Sequence, residues 1–254
     1  MLSGGQDSTA MTLRLLELGE PLDYIVFCDT TLEHDEMYEY IDKLDSFFQR
    51  KYNKKITMLN PKITFNEYIF QPRKKGDYIG KTRGTPSVID MCFWRKEAKQ
   101  ATFERWAKKE GIFKSMVQYN GFTSNESSRA TNSPAYVIAP LYDWGWSEND
   151  VSNYLQKNHM ENKLYQHFSR TGCAVCPKNK IDDKYMLYKH YPEKWEYMKD
   201  TEEKLNNDIN RTGIYPRWHI KLFCYEMEEL FKKKDNQQII EFDFEPIYDC
   251  FCKI

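Results

Sequence analysis

Apolar residues along this chain recur with two different periods. In residues 8–18, Met11, Leu15, Leu16 and Leu18 fall close to helical spacing, and Gly19 supplies a natural stop. Tyr24-Ile25-Val26-Phe27-Cys28 is a short apolar run closed by Asp29-Thr30-Thr31, the pattern of a buried strand. Residues 35–52 predict a longer helix with Met37, Ile41, Leu44, Phe47 and Phe48 on one stripe. Lys55-Ile56-Thr57-Met58-Leu59, stopped by Asn60-Pro61, reads as a second strand. A basic loop over 71–87 leads to a helix over 93–110 and a strand over 115–119. A polar loop over 121–134 then leads to a strand over 135–139. The alternation predicts an α/β fold with a doubly wound parallel sheet, and a ligand site at the carboxyl ends of its strands.

The second half changes character. Residues 146–157 predict a helix, 158–180 form a cysteine-bearing loop, and most of 181–234 reads as helical. Residues 242–246 suggest a late edge strand. A boundary near 157 divides an α/β unit over 1–157 from the cysteine loop and helical region over 158–254.

Composition narrows the class. The 254 residues are 41% hydrophobic and 30% charged, with no apolar run near the roughly 18 residues of a membrane span. No basic and apolar leader is seen at the start, so the chain reads as a soluble, cytoplasmic protein with no membrane partner. Charges nearly cancel, 37 basic against 38 acidic. That disfavours a blanket nucleic-acid coat but leaves local patches. Arg73-Lys74-Lys75 and Lys232-Lys233-Lys234 are two such runs, either solvated surface or contacts for the phosphates of a nucleic acid or an acidic carrier.

Ser3-Gly4-Gly5-Gln6-Asp7-Ser8 precedes the first helix. Two glycines let backbone N–H groups approach an anion, and the helix N-terminus and the Ser3 and Ser8 hydroxyls add donors. The ordinary alternative is a turn with Asp7 or Ser8 as helix cap. Seven cysteines stand at 28, 92, 173, 176, 224, 250 and 252. Cys28 reads as a buried structural thiol. Cys173-x-x-Cys176 brings two sulfurs within reach of one metal or of each other. The five histidines show no metal spacing.

Further segments follow in order: Phe27-Cys28-Asp29-Thr30, Gly121-Phe122-Thr123-Ser124-Asn125-Glu126-Ser127-Ser128-Arg129, Pro140-Leu141-Tyr142-Asp143-Trp144, and Leu164-Tyr165 with Arg170-Thr171-Gly172-Cys173-Ala174-Val175-Cys176-Pro177. Together with the glycine loop they resemble the phosphoadenosine phosphosulfate (PAPS) reductase-like family of the N-type ATP pyrophosphatase (PP-loop) superfamily. The resemblance implies a Rossmann-like sheet binding an adenine nucleotide, with 1–157 as its PP-loop domain. Ser3, Gly4, Gly5, Asp7 and Ser8 would hold phosphate or sulfate oxygens. Asp29 and Thr30 would sit by the adenosine, and Gly121, Glu126 and Arg129 would form the facing loop. Asp7, Ser8 and Arg129 are the candidate catalytic residues; the planar fork of Arg129 suits phosphate oxygens, with a surface ion pair to Glu126 as the competing role.

The resemblance also adds Cys92 to Cys173 and Cys176 as candidate metal ligands, with Cys224, Cys250 or Cys252 as a fourth. A [4Fe–4S] cluster, a structural zinc, and cysteines without metal stay open as alternatives. Lys178 and Lys180 would offset thiolate charge. The family carries a full strand before the glycine loop, whereas only Met1 and Leu2 precede Ser3 here. Neighbouring ladder groups and core are therefore expected to be exposed, with the true start upstream or the chain trimmed.

Two reactions suit the implied fold. One uses ATP and Mg2+ to adenylate an acceptor, such as a nucleic acid or a sulfur carrier, before sulfur displaces AMP. The other is reduction of PAPS or adenylyl sulfate to sulfite, with thioredoxin as partner. The tail Asp249-Cys250-Phe251-Cys252 and Thr123 depart from the reductase pattern. A non-catalytic nucleotide-binding partner is the third reading.

Overall fold

The structure, a computed structural model, describes residues 1–86, 91–211, 217–237 and 241–242. Strands β1 (Ile25–Cys28) and β2 (Ile56–Leu59) pair in parallel, with Ile25 opposite Ile56. Between them runs helix α2 (Asp35–Tyr52), which buries Met37, Tyr40, Ile41, Leu44 and Phe48. A second parallel pair joins β3 (Gln118–Tyr119) to β4 (Val137–Ile138). Both pairs are the product of crossovers through helices, as the alternation predicts.

Period-2 alternation in β1 separates two faces. Ile25 and Phe27 enter the main core with helix α1 (Gln6–Leu18) and α2, while Val26 and Cys28 pack with Leu59 against Phe103 and Trp106. Those two rings belong to one continuous helical stretch of α4 (Phe93–Arg95), a π-helical turn (Lys96–Ala101) and α5 (Thr102–Lys109). Helices thus cover both faces of β1 and β2. Cys28 is buried, and burial pushes its thiol up to about 11, as befits a structural thiol.

The two strand pairs do not merge into one ladder. Among the described residues, only Met1 and Leu2 bridge β1 and β3: the Leu2 N–H donates to Val26 O at 2.9 Å, and the Met1 amine donates to Tyr119 O at 3.1 Å. Beside them a cavity of 520 Å³ is lined by β1, β3 and apolar residues such as Leu15 and Trp106. The core beside the glycine loop is not exposed as expected: Leu2, Met11, Leu15, Ile25 and Val26 on the cavity wall are all buried.

Several boundaries move by a few residues. Helix α1 begins at Gln6 with Gly5 as its cap rather than Asp7 or Ser8. A helix absent from the periodicity, α3 (Phe65–Phe70), is started by a reciprocal cap between Thr64 and Glu67. The polar loop contains a 3-10 turn (Ser124–Glu126) and α6 (Ser127–Thr131), and α7 (Pro140–Asp143) follows β4. Helix α8 (Glu148–Lys157) packs on α1. Helices α9 (Ile181–His190), α10 (Pro192–Asn206) and α11 (Cys224–Asp235) complete the order and share the main core with α1 and α2. Of the suggested edge strand, residues 243–246 lie outside the described residues, as do Cys250 and Cys252.

Candidate active site

The glycine loop turns because Gly4 adopts φ +76°, and it cannot carry a side chain: a Cβ there would lie 2.3 Å from Met37 Sδ. Ser3 and Ser8 close the loop internally. The Ser3 N–H donates to Ser8 Oγ at 3.1 Å, the two hydroxyls meet at 3.0 Å, and the Ser8 hydroxyl donates to Gly5 O at 3.1 Å. Distant residues brace it. Asn162 donates to Gly4 O at 3.0 Å, and the Gln6 N–H donates to Tyr165 Oη at 3.1 Å. Both come from the segment after α8, so the loop's shape is shared between the two halves of the chain.

Above this floor is a cavity of 140 Å³ lined by Ser3, Gly5, Asp7, Ser8, Thr30, Glu33, Cys92, Arg95, Lys99, Gly121, Phe122, Tyr165, Arg170, Cys173 and Cys176 among others. Gly121 fits against the start of α1 so closely that a Cβ would be 3.0 Å from the Asp7 carbonyl carbon. Cys92, Arg95 and Lys99 stand one and two turns apart, hence on one face of the α4–α5 stretch. Three cationic side chains face two carboxylates. One of those, Glu33, is buried and accepts from Thr30 Oγ1 at 2.8 Å, and burial raises its pKa toward the neutral acid. The balance favours an anion.

The thiols differ in setting. Cys173 lies 3.4 Å from Thr30 Oγ1, and burial with the nearby Glu33 carboxyl pushes it up to about 12. Cys176 has the Arg170 guanidinium at 4.0 Å, and Arg170 also donates to Lys178 O and Asn179 Oδ1 at 3.1 Å each. Lys184, buried and with its ammonium lowered to about 8 by burial, donates to the carbonyls of Pro177 and Asn179. Arg170, with Lys184 behind it, is thus a cation beside the cysteine turn to which sequence reasoning assigned no such part.

Three soft thiols in one pocket suit a thiophilic ion in chemistry. Among the described residues, however, no three His, Cys, Asp or Glu side chains are grouped so as to hold one. As arranged, Cys92, Cys173 and Cys176 do not fit a [4Fe–4S] cluster or a structural zinc. Cys224 is buried at the start of α11, outside the cavity lining.

Other sequence candidates are placed around the cavity rather than in it. Asp29 accepts from the Thr31 N–H at 2.7 Å and from Tyr38 Oη at 2.8 Å. Arg129 pairs with Glu126 at 2.5 Å and covers the Phe122 ring at 4.6 Å, one layer behind the wall. Gly4 shapes the loop without lining the cavity. Sequence reasoning assigned no role to Glu33, Lys99, Tyr165 or Arg170. The Cys92-x-x-Arg95-x-x-x-Lys99 spacing was the available signal for the second of these.

Residues 1–179 match the family model described as the phosphoadenosine phosphosulfate reductase domain. The chain belongs to that family. The match runs from the glycine loop through the cysteine turn, so both walls of the pocket lie inside the PAPS reductase domain. Among curated proteins it is 24% identical to the "Uncharacterized 37.8 kDa protein in gpa 5'region" of Escherichia phage 186, covering 76% of this chain and 70% of that one. It is 27% identical to "Uncharacterized protein MJ0066" of Methanocaldococcus jannaschii, over 76% of this chain and 39% of that one. A solved phosphate complex of the PAPS reductase from Candida auris aligns at 16% identity and TM-score 0.42, over 66% of this chain and 77% of that one. The family is one of nucleotide-binding enzymes of sulfur chemistry. Among the described residues, no helix is long and apolar enough to cross a membrane.

Proposed function

We propose that this PAPS reductase-family chain binds ATP with Mg2+ by its anionic end, adenylates an acceptor and then transfers sulfur to it, in the manner of nucleic-acid thiolation. The observation that carries the reading is the convergence of the Ser3–Ser8 loop, three cationic side chains and three thiols on one cavity. Its 140 Å³ is below the roughly 300–1,000 Å³ of sites that enclose a whole small molecule. The anionic end of the nucleotide therefore occupies the cavity, with the nucleoside outside it near Asp29 and Thr30. N–H groups at the start of α1, with Arg95 and Lys99, stabilise charge as the α–β phosphate bond breaks and pyrophosphate leaves. Asp7 and Ser8 stay the candidate catalytic residues, and Arg129 becomes a positioning residue that acts through the Gly121 loop.

The sulfur step is written on the thiols themselves. A persulfide, formed when a pocket cysteine thiolate takes the outer sulfur of an external persulfide donor and releases the donor's thiol, attacks the adenylated carbon, and AMP leaves with the bonding pair. A second cysteine attacks the resulting disulfide, releases the thiolated acceptor and leaves a cystine, which an external dithiol reduces. A second reading, sulfonucleotide reduction to sulfite with thioredoxin, is favoured by the same thiols: a thiolate there could attack a sulfate sulfur.

Thermal stabilisation by ATP–Mg, adenylyl sulfate and PAPS separates the two, with pyrophosphate release followed in parallel. At about 100 times its dissociation constant a ligand adds about 2.7 kcal/mol. Stabilisation by ATP–Mg alone, with acceptor-dependent pyrophosphate release, is expected. Selective stabilisation by a sulfonucleotide would transfer the assignment to the reductase. Nucleotide binding with no turnover of either kind would leave a binding partner.

A further inference from the structure

We infer that the hairpin over residues 71–84, with the adjoining Arg217–Tyr225 surface, is a docking face for single-stranded nucleic acid leading to the mouth of the pocket. This deepens the sulfur-transfer reading, and its catalytic meaning rests on that reading.

The hairpin is built rather than loose. Pro72 and Thr82 form an antiparallel bridge, the Arg73 N–H donates to Lys81 O at 2.8 Å, and the Gly80 N–H donates to Arg73 O at 2.9 Å. It is tied to the end of α10: the Thr82 N–H donates to Asn210 O at 2.9 Å and its hydroxyl bonds to Asp208. On this frame stand Arg73, Lys74, Lys75, Lys81 and Arg83 against two carboxylates, Asp77 of the hairpin and Asp208, which lies near Lys81 from the end of α10. None of the five is paired with a carboxylate among the described residues. The other basic run behaves differently. Lys232 is paired with Glu228 and Glu229, and Lys234 with Asp182. A chain of net charge -1 therefore concentrates excess positive charge on this hairpin.

Rings interleave with the cations. Arg73 lies 5.7 Å from the Tyr78 ring centre, and Arg83 lies 4.1 Å from that of Tyr68 and 5.6 Å from that of Phe93. Tyr78 is 43% exposed. Thr85 Oγ1 donates to Arg217 O at 3.3 Å, which joins the hairpin to a second platform. There Arg217 covers Phe223 at 4.0 Å, and Phe223 stacks on the exposed Tyr225 at 13° between planes. Flat rings and guanidinium planes beside ammonium groups match unpaired bases on a phosphate backbone better than an acidic polypeptide, which has no planes to stack. Phe93, under Arg83, follows Cys92 of the pocket wall, so a strand lying on the hairpin reaches the pocket mouth.

The test is anisotropy titration of labelled 20-nucleotide single-stranded RNA and DNA, the matching duplexes and polyglutamate, at several salt concentrations. Tight, salt-sensitive binding of single strands is expected. A variant with Arg73, Lys74, Lys75 and Lys81 each changed to Ala should lose at least about tenfold in affinity, and its log–log salt slope should fall by about 3. Tyr78→Ala should weaken single strands about tenfold while leaving polyglutamate unaffected. Should the fourfold variant melt early, Lys74→Glu with Lys75→Glu, both at exposed positions, replaces it. Stabilisation by ATP–Mg or PAPS should persist in every variant, which separates this face from the nucleotide site. Absent binding, unchanged affinity in the charge variants, or polyglutamate bound as tightly as single strands would each overturn the proposal. The last of these would assign the face to an acidic protein.

Discussion

Gly4 shows how one position ties the site to the core. Its φ of +76°, and the mere 2.3 Å that would separate a Cβ there from the buried Met37 sulfur, leave no place for alanine. Gly4→Ala should cost about 2–4 kcal/mol in urea unfolding and weaken ATP–Mg binding, and adding Met37→Ala should recover part of that binding. A loss under about 1 kcal/mol would mean that the loop has another way to turn. The glycines and serines of this loop were legible because their chemistry is local. Asn162 and Lys184 were not, and Tyr165 and Arg170 were legible only as members of the cysteine-turn segment, without a role: their partners lie far along the chain or in loop carbonyls that no spacing rule connects. The i,i+3 pair of Glu126 and Arg129 was visible in the sequence as an alternative to anion binding, and the structure forms it at 2.5 Å.

Helices were the most readable elements, since an apolar stripe over several turns survives small errors of register. Helix α2 spans the expected residues 35–52. Helix α3 is too short for a stripe, and its only sequence signal is the Thr64-x-x-Glu67 cap. Strands β3 and β4 are two residues each, shorter than the apolar runs over 115–119 and 135–139 that announced them. Helix α8 depends on a reciprocal cap: the Asp150 N–H donates to Ser147 Oγ at 3.2 Å, and Asp150 accepts back from the Ser147 N–H at 2.8 Å. Ser147→Ala should cost about 1 kcal/mol of stability, read as a lower urea midpoint. Nucleotide binding should be unchanged, as no residue of α8 lines the pocket.

At the scale of the whole molecule, buried histidines set an acid limit. His34 packs between Phe168 and Tyr191, 4.7 Å from each ring centre, and burial lowers it to about 4; burial and nearby Lys184 lower His219 likewise. Each group is neutral in the folded chain while the unfolded chain takes up a proton below its ordinary value of about 6.5. Their contribution is therefore complete above pH 6.5 and lost as pH falls toward 4. Glu33 and Glu202, raised by burial, act in the opposite sense, so the comparison must be with a variant. His34→Asn, which also suits the cap position at the start of α2, should flatten the loss by on the order of 2–3 kcal/mol at pH 4. Parallel pH curves for the two proteins would sink this account. The sequence by itself determined the order of helices and strands, the glycine loop and the cysteine turn, because each follows from local spacing and backbone chemistry. Tertiary structure alone decided that Cys92, Arg95, Lys99 and Arg170 face one cavity, that Arg129 stands behind its wall, and that among the described residues the run at 232–234 forms ion pairs while the run at 73–75 forms none. Those outcomes depend on which distant side chains meet, and packing of the two halves decides that.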